Sequence, residues 1–317
     1  MLTIAIPSYQ RRDHLDRLLG SIEHEVVAAG EPLVPVEVLV VLDGSTDGSL
    51  ALIESRATEF PVPLRAVWQE NAGPAAARNR CADEALGELI WYLDDDMTIS
   101  GAALAHHLAW DRSETPMLMG PCVIRSDDPS AATARQWYGE RWARLQAVTR
   151  LTDPIDITFA NASMPTSLIR EHRFVERFRG YGSEDVELAI RLVEAGVTVG
   201  YSPEAHVEHD FTPSAEERLR KLREEGRNRM LLVELHPGYA SVAFSTDVGR
   251  FERMVRSISR RGYPARTLWP LAQLLSAASR VVRDGGTFTR LQTLSETASL
   301  YAGVADVLRS PNGSASG

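Results

Sequence analysis

Three carboxylates in a row, Asp94-Asp95-Asp96, close an apolar run that begins at Glu88. Like charges crowded at the end of a buried strand repel one another, and a cation resolves the conflict. Oxygen ligands suit Mg2+ or Mn2+, ions that usually bridge to substrate phosphates. The plain alternative is a solvated acidic turn that caps a helix starting near Ser100. A second cluster, Gly180-Tyr181-Gly182-Ser183-Glu184-Asp185, puts glycines ahead of a carboxylate pair at the start of an amphipathic run. Glycines let a ligand approach the backbone closely, and a carboxylate there can take a proton from an attacking hydroxyl. The same residues equally suit a helix N-terminus, with Ser183 as the cap and the acids answering the helix dipole. A third cluster, Pro203 to Asp210, carries His206 and His209. An extended segment turns these to different sides, which allows one metal ligand and one structural histidine.

Positioning these groups requires a sheet. Leu2–Ile6, Val36–Leu42, Leu64–Trp68 and Glu88–Leu93 are short apolar runs that read as buried strands. Between them lie helical stretches: Arg11–Ala29, with Leu15, Leu18, Leu19, Ile22 and Val26 at helical spacing, a helix beginning near Ser49, and one ending at Ala85. This alternation predicts an α/β domain with a mainly parallel sheet, whose ligands bind beyond the carboxyl ends of the strands. Pro7-Ser8-Tyr9, Asp43 and the aspartate triplet all fall at such ends. Past residue 100 the alternation fades. Gly120–Ile124, Ile155–Phe159 and Val197–Tyr201 read as further strands, the last of these closing the series. Ala131–Thr149 and Ser183–Glu194 read as helices, the latter with Val186, Ala189, Ile190 and Val193 on one side. From Ala215 the chain reads as helical, and Ser310–Gly317 has a disordered composition. The expected organisation is therefore a catalytic domain over 1–214, with a nucleotide half to about residue 100 and an acceptor half after it. A helical region follows over 215–309, then the tail.

Composition narrows the function. A formal net charge of -9 works against a general nucleic-acid binder. The basic Arg218–Arg229 stretch is interrupted by Glu224 and Glu225 and reads as a solvated helix face. Only Cys81 and Cys122 are present, without disulfide or zinc spacing, and are expected as buried free thiols. No apolar run approaches the roughly 20 residues of a membrane span, and no leader is evident at the N-terminus, so a cytoplasmic location is expected.

In order, Ile6-Pro7-Ser8-Tyr9, Val40 to Asp47, Asn71-Ala72-Gly73 with Ala77-Arg78-Asn79, Leu93 to Asp96, Asn161-Ala162-Ser163, Gly180 to Asp185 and Pro203 to His209 resemble the motifs of the family 2 glycosyltransferases. The resemblance runs from Leu2 to about Phe211. It implies a GT-A (Rossmann-like) fold and an inverting transfer from a nucleotide-sugar donor, a UDP-sugar first of all, with Mn2+ or Mg2+ as cofactor. Carried over by position, it implies that Pro7, Ser8, Tyr9 and Asp43 cradle the base and that Arg78 lies near the base or diphosphate. Leu42 stands where many members carry a further aspartate. Asp94 takes the ribose side and Asp95 stays on the nucleotide side. Asp96 and His209 hold the metal, His206 is structural and Asp185 is the general base. Glu184 and Asn161 serve the acceptor or its loop.

A sugar-phosphate nucleotidyltransferase shares such a sheet and metal use, but it carries a glycine-rich loop after the first strand, and Pro7–Arg12 has no glycine. A non-catalytic nucleotide- or glycan-binding module would be favoured if Asp96, Asp185 or His209 were missing; all three are present. The acceptor, whether glycan, lipid-linked or small molecule, is bound by variable loops and is not legible. Residues 256–282 read as packing on the catalytic domain or as a homodimer interface in preference to docking on a membrane surface.

Overall fold

Runs of Val, Ile and Leu with no helical period form strands that are buried on both faces, and the first of these build one half of the main sheet. The computed structural model describes residues 1–30, 35–99, 102–126, 131–210, 214–240, 265–279 and 285–307. The expected helix start at Ser100, the end of the family resemblance at Phe211, residues 256–264 and 280–282, and the tail from Ser310 lie outside these. Contacts divide the chain into two units: residues 1–126, 134–176 and 185–211, and residues 127–133, 177–184 and 212–317.

In the first unit, β1 (Leu2–Ser8), β2 (Val36–Asp43), β3 (Leu64–Gln69) and β4 (Leu89–Leu93) pair in parallel in the order β3-β2-β1-β4. Helices α1 (Arg12–Ala29), α2 (Ser49–Ala57) and α3 (Pro74–Glu84) connect them. Pro74 at the first turn of α3 gives up only an N–H that has no helical partner. The sheet then continues through strands of two to five residues. With β6 (Met117–Met119), β8 (Arg150–Leu151), β9 (Asn161–Pro165) and β10 (Val199–Tyr201) it reaches the order β3-β2-β1-β4-β9-β6-β10-β8. β9 runs antiparallel to both β4 and β6. A second sheet, β5-β11-β7, joins β5 (Met97–Ile99), β7 (Cys122–Ile124) and β11 (Val207–His209). Helices α4 (Ala103–Ala109), α5 (Ala132–Leu145), α6 (Thr166–Glu171) and α7 (Glu184–Glu194) complete the series. The α/β architecture with a mainly parallel sheet is as expected.

Three local expectations are corrected. Ile155–Phe159 is not a strand: the Asp153 carboxylate accepts the Ile155 N–H and Pro154–Asp156 winds into a 3-10 turn. Arg144 holds this turn through two hydrogen bonds of 2.6 and 2.8 Å to Asp156. The aspartate triplet leads into β5 rather than into a helix, so it is not a helix-capping turn. Val197–Tyr201 is not the final strand, because β11 follows and carries His209. Ser183 adopts a left-handed φ of 74° between Gly182 (φ 90°) and α7, and Ala189 and Ile190 are buried on that helix as expected, with Val193 packed on the core and Leu188 and Leu192 buried beside them. Cys81 and Cys122 are buried and free, as expected.

The second unit contains α8 (Ala215–Leu235), α9 (Ala265–Ser279) and α10 (Gly285–Val307). Ser214 caps α8 by accepting the Glu217 N–H. Helices α8 and α10 meet at glycines: a Cβ on Gly226 would overlap the Leu300 carbonyl, and one on Gly303 would overlap the Arg223 carbonyl. Arg218 pairs with Glu296, and Arg223 and Arg227 both pair with Asp306. The basic run expected to be a solvated face therefore binds α10. On the same helix Asn228 donates through Nδ2 to the carbonyls of Arg179, Tyr181 and Gly182 at 3.1, 3.1 and 2.9 Å, and Glu224 accepts the Tyr181 N–H. Asn228→Ala would strand these carbonyls and is expected to lower stability by about 1–3 kcal/mol in urea denaturation. An unchanged midpoint would refute that brace.

Among the described residues, no helix is long and apolar enough to cross a membrane.

Candidate functional site

Parallel register brings the carboxyl ends of β1, β2 and β4 side by side, with Ser8 opposite Leu42 and Ala5 opposite Tyr92. Ser8 is buried and donates to Asp95 Oδ2 at 2.7 Å. Tyr9 just beyond it is 52% exposed, which leaves its ring open to stacking. Asp43 ends β2 and is nearly fully buried. Its carboxylate accepts from the backbone N–H groups of Ala72 and Gly73, both at 2.9 Å, and from Gln69 Nε2 at 2.8 Å. It thereby shapes the turn into α3, a role that spacing alone did not reveal.

The triplet divides by partner. Asp94 accepts from Arg78 Nη2 at 2.8 Å. Arg78 Nη1 lies 3.6 Å from Asp185 Oδ1, so one buried guanidinium faces both carboxylates. Its opposite side rests 5.5 Å from the Phe174 ring centroid. Burial raises the Asp94 pKa, with Asp96 and Asp185 adding to the rise while Arg78 opposes it. Asp95 is pushed up to about 7, first by burial and then by Asp96, against the pull of Arg11 and Ser8. Asp96 accepts from Arg11 Nη1 at 2.6 Å. Arg11 sits at the N-terminal edge of α1 and also reaches to 3.9 Å from Asp95. This crowd of carboxylates is thus held by two arginines, as the like-charge argument requires.

Asp185 is the second residue of α7. Its Oδ2 accepts from Thr158 Oγ1 at 2.9 Å and from the Phe159 N–H at 3.2 Å. A carboxylate pinned in this way is oriented before any substrate arrives. The side chain is 20% exposed. His209 lies on β11 with Nε2 3.4 Å from Asp96 Oδ2 and its ring edge-on to Tyr138 at 6.1 Å. The pairing of β11 with β5 places His209 opposite Met97, the residue after Asp96, and the Asp210 N–H donates to the Asp96 carbonyl at 2.9 Å. Strand pairing, not sequence proximity, brings this histidine to the triplet.

The expected metal pair Asp96 and His209 is therefore adjacent. Among the described residues no three His, Cys, Asp or Glu side chains converge to hold an ion. One carboxylate and one imidazole beside a charged triplet fit a divalent ion that draws its remaining ligands from phosphate oxygens and water.

Asn161 lies elsewhere than expected. It is fully buried on β9, where its Oδ1 accepts from Trp91 Nε1 at 2.9 Å and its Nδ2 donates to the Ala205 carbonyl at 2.8 Å. His107 Nε2 is 3.0 Å from the same Oδ1, and its Nδ1 is 2.8 Å from Ser163 Oγ. Oδ1 can only accept, so Nε2 carries the proton and Ser163 donates to Nδ1. Burial drives the His107 pKa down to about 3, which keeps this bridge neutral. Asn161 thus braces β9 from within the interior, its amide engaged with Trp91, His107 and the Ala205 carbonyl. Glu184 is also buried, in the second unit. His206 is partly buried and follows the 3-10 turn before β11. Arg11 and Thr158 escaped the sequence reading. No motif marks either, and only the strand-end geometry gives them partners.

The family model described as glycosyl transferase family 2 matches residues 3–173. Validoxylamine A glucosyltransferase of Streptomyces hygroscopicus subsp. jinggangensis (strain 5008) is 29% identical over 234 residues, covering 65% of this chain and 54% of that protein. Succinoglycan biosynthesis protein ExoM of Rhizobium meliloti (strain 1021) is 28% identical over 187 residues, covering 55% and 57%. The chain spans about half the length of these curated relatives. A mannosyltransferase from Pyrobaculum calidifontis, solved with GDP-Man and Mn2+, aligns at a TM-score of 0.60 and 19% identity, covering 94% of this chain and 85% of that one. S. aureus TarS residues 1–349 with UDP-GlcNAc aligns at 0.53 and 15% identity, covering 92% and 90%. At these identities the structural matches show the shared fold.

Proposed function

Because the chain belongs to glycosyl transferase family 2, we propose that it moves a sugar from a nucleoside-diphosphate donor to an acceptor hydroxyl in one inverting displacement. The observation that carries this reading is Arg78, whose guanidinium faces Asp94 at 2.8 Å and Asp185 at 3.6 Å. It ties the donor-side carboxylate to the carboxylate suited to deprotonate the acceptor. Tyr9 offers a ring for the base, and Asp43 shapes the turn beside it. Asp94 and Asp95 face the ribose and diphosphate. Asp96 and His209 would hold Mn2+ or Mg2+, which stabilises charge developing on the departing diphosphate. Arg11, already on Asp96, adds a second positive charge to that side. Asp185, fixed by Thr158 and the Phe159 N–H, accepts the proton of the attacking hydroxyl. No covalent intermediate is needed, and no activated nucleophile belongs to the cluster.

A UDP-sugar is the donor of choice, and the glucosyltransferase relative makes UDP-glucose the first to test. The acceptor is a glycan, a lipid-linked sugar or a small molecule, and a cytoplasmic location belongs to the same reading. The test is calorimetric binding of UDP-glucose with and without Mn2+. Wild-type affinity should rise about tenfold or more with the ion, and Asp96→Ala should lose that gain while keeping the metal-free component. A variant with the full metal response would remove Asp96 from the site.

A further inference from the structure

Helix α5 buries Ala134, Trp142 and Leu145, with Arg141 and Tyr138 largely enclosed beside them. Trp142 is absorbed by this packing: its Nε1 donates to the Cys122 carbonyl at 2.8 Å and its ring stacks on Tyr201. Trp137 differs. It lies three residues after Ala134 and four before Arg141, so it belongs to the edge of the inward stripe rather than to the outer face of the helix. Yet it is 52% exposed. Half of this large ring therefore stays in solvent at the rim of a packed face.

Two contacts hold the indole. The Arg141 guanidinium sits between two rings, 5.3 Å from Trp137 and 4.7 Å from Trp142, and donates to the Ile155 carbonyl at 3.1 Å. Tyr138 meets Trp137 edge-on at 4.8 Å. Through Tyr138 the indole adjoins the candidate site. Besides Trp137, Tyr138 meets the Trp142 ring at 6.0 Å and, edge-on, the His209 ring at 6.1 Å.

We propose that Trp137 is the platform on which a sugar ring of the acceptor stacks. This rests on the transferase reading above and adds the chemical class of the acceptor, a polyhydroxylated six-membered ring with an apolar C–H face. Such a face pairs with an indole, while its hydroxyls stay directed to water or to the carboxylates. The ring is fixed in advance by Arg141 and Tyr138, so little side-chain freedom is lost on binding. An acceptor carrying only an acyl chain would leave the carboxylates unanswered.

Saturation-transfer NMR tests this with methyl β-glucopyranoside, cellobiose and myo-inositol as probes and hexanol as the apolar control, in wild type, Trp137→Phe and Trp137→Ala. Ring C–H signals of at least one polyol should appear with wild type, persist with Trp137→Phe and fall about fivefold or more with Trp137→Ala. Polyol signals that ignore Trp137→Ala, an absence of polyol signals, or saturation of hexanol alone would overturn the proposal. The melting shift induced by UDP-glucose with Mn2+ is read on the same three proteins. If wild type and Trp137→Ala both show it, the variant is folded and an NMR failure falls on the platform alone. If wild type lacks it, the transferase reading fails first.

Discussion

Asp185→Asn is expected to lower kcat for transfer by about 10^2- to 10^4-fold while leaving the affinity for the nucleotide-sugar nearly unchanged. The substitution preserves shape. An asparagine carbonyl can still accept from Thr158 Oγ1 and the Phe159 N–H, the two bonds that orient the carboxylate. What it removes is the capacity to take a proton. In the proposed arrangement the donor contacts belong to the strand-end residues and not to Asp185, so the Michaelis constant for donor should move little. Steady-state release of the nucleoside diphosphate in the presence of acceptor, set beside calorimetric donor binding, separates the two effects. A kcat within tenfold of wild type would take the base role away from Asp185.

The second large effect is Arg78→Met, a change of similar volume that deletes one charge. Arg78 is 4% exposed, and it faces Asp94 and Asp185 together. Removing one partner of a buried ion pair costs about 3–5 kcal/mol, and the partial exposure of both carboxylates, 32% and 20%, reduces this to about 2–4 kcal/mol. The deficit has a pH signature. The folded pKa of Asp94 is already raised by burial, and loss of Arg78 raises it further. A carboxyl with a raised folded pKa contributes stability at low pH and loses it as pH rises through that value. Urea denaturation should therefore show a larger deficit at pH 8 than at pH 5. A deficit that is equal at both, or absent, would mean that Arg78 does not neutralise this pair.

The first hundred residues were legible because their strands are long, apolar and separated by helices of clear period. Pro7-Ser8, Asp43 and Asp94–Asp96 fell at strand ends for that reason, and the structure keeps them there. The later strands were not legible in the same way. β9 reads Asn-Ala-Ser-Met-Pro, which no hydrophobic pattern marks, and its polar side chains are buried only because His107, Trp91 and the Ala205 carbonyl satisfy them. β6 and β11 have three residues each, too few to show a period. The error at Ile155–Phe159 arose because Asp153 and Pro154 set a turn that outweighs the β-branched residues around it. In the site, carboxylates and histidines announce themselves by type, whereas Arg11, Thr158 and Tyr138 acquire meaning only from neighbours distant in sequence. The contact of α8 with α10 at Gly226 and Gly303 was hidden likewise, since a glycine within a helix is otherwise only a weak point.

The most direct test of the central claim is a thermal-shift panel of UDP-, GDP- and dTDP-sugars on the intact chain, each with and without Mn2+. Ligand that binds only the folded protein raises its melting temperature. The expected result is a rise for one nucleotide above the others, UDP first, that grows when Mn2+ is added and shrinks to its metal-free size in Asp96→Ala. A melting temperature indifferent to both nucleotide and metal would contradict the account.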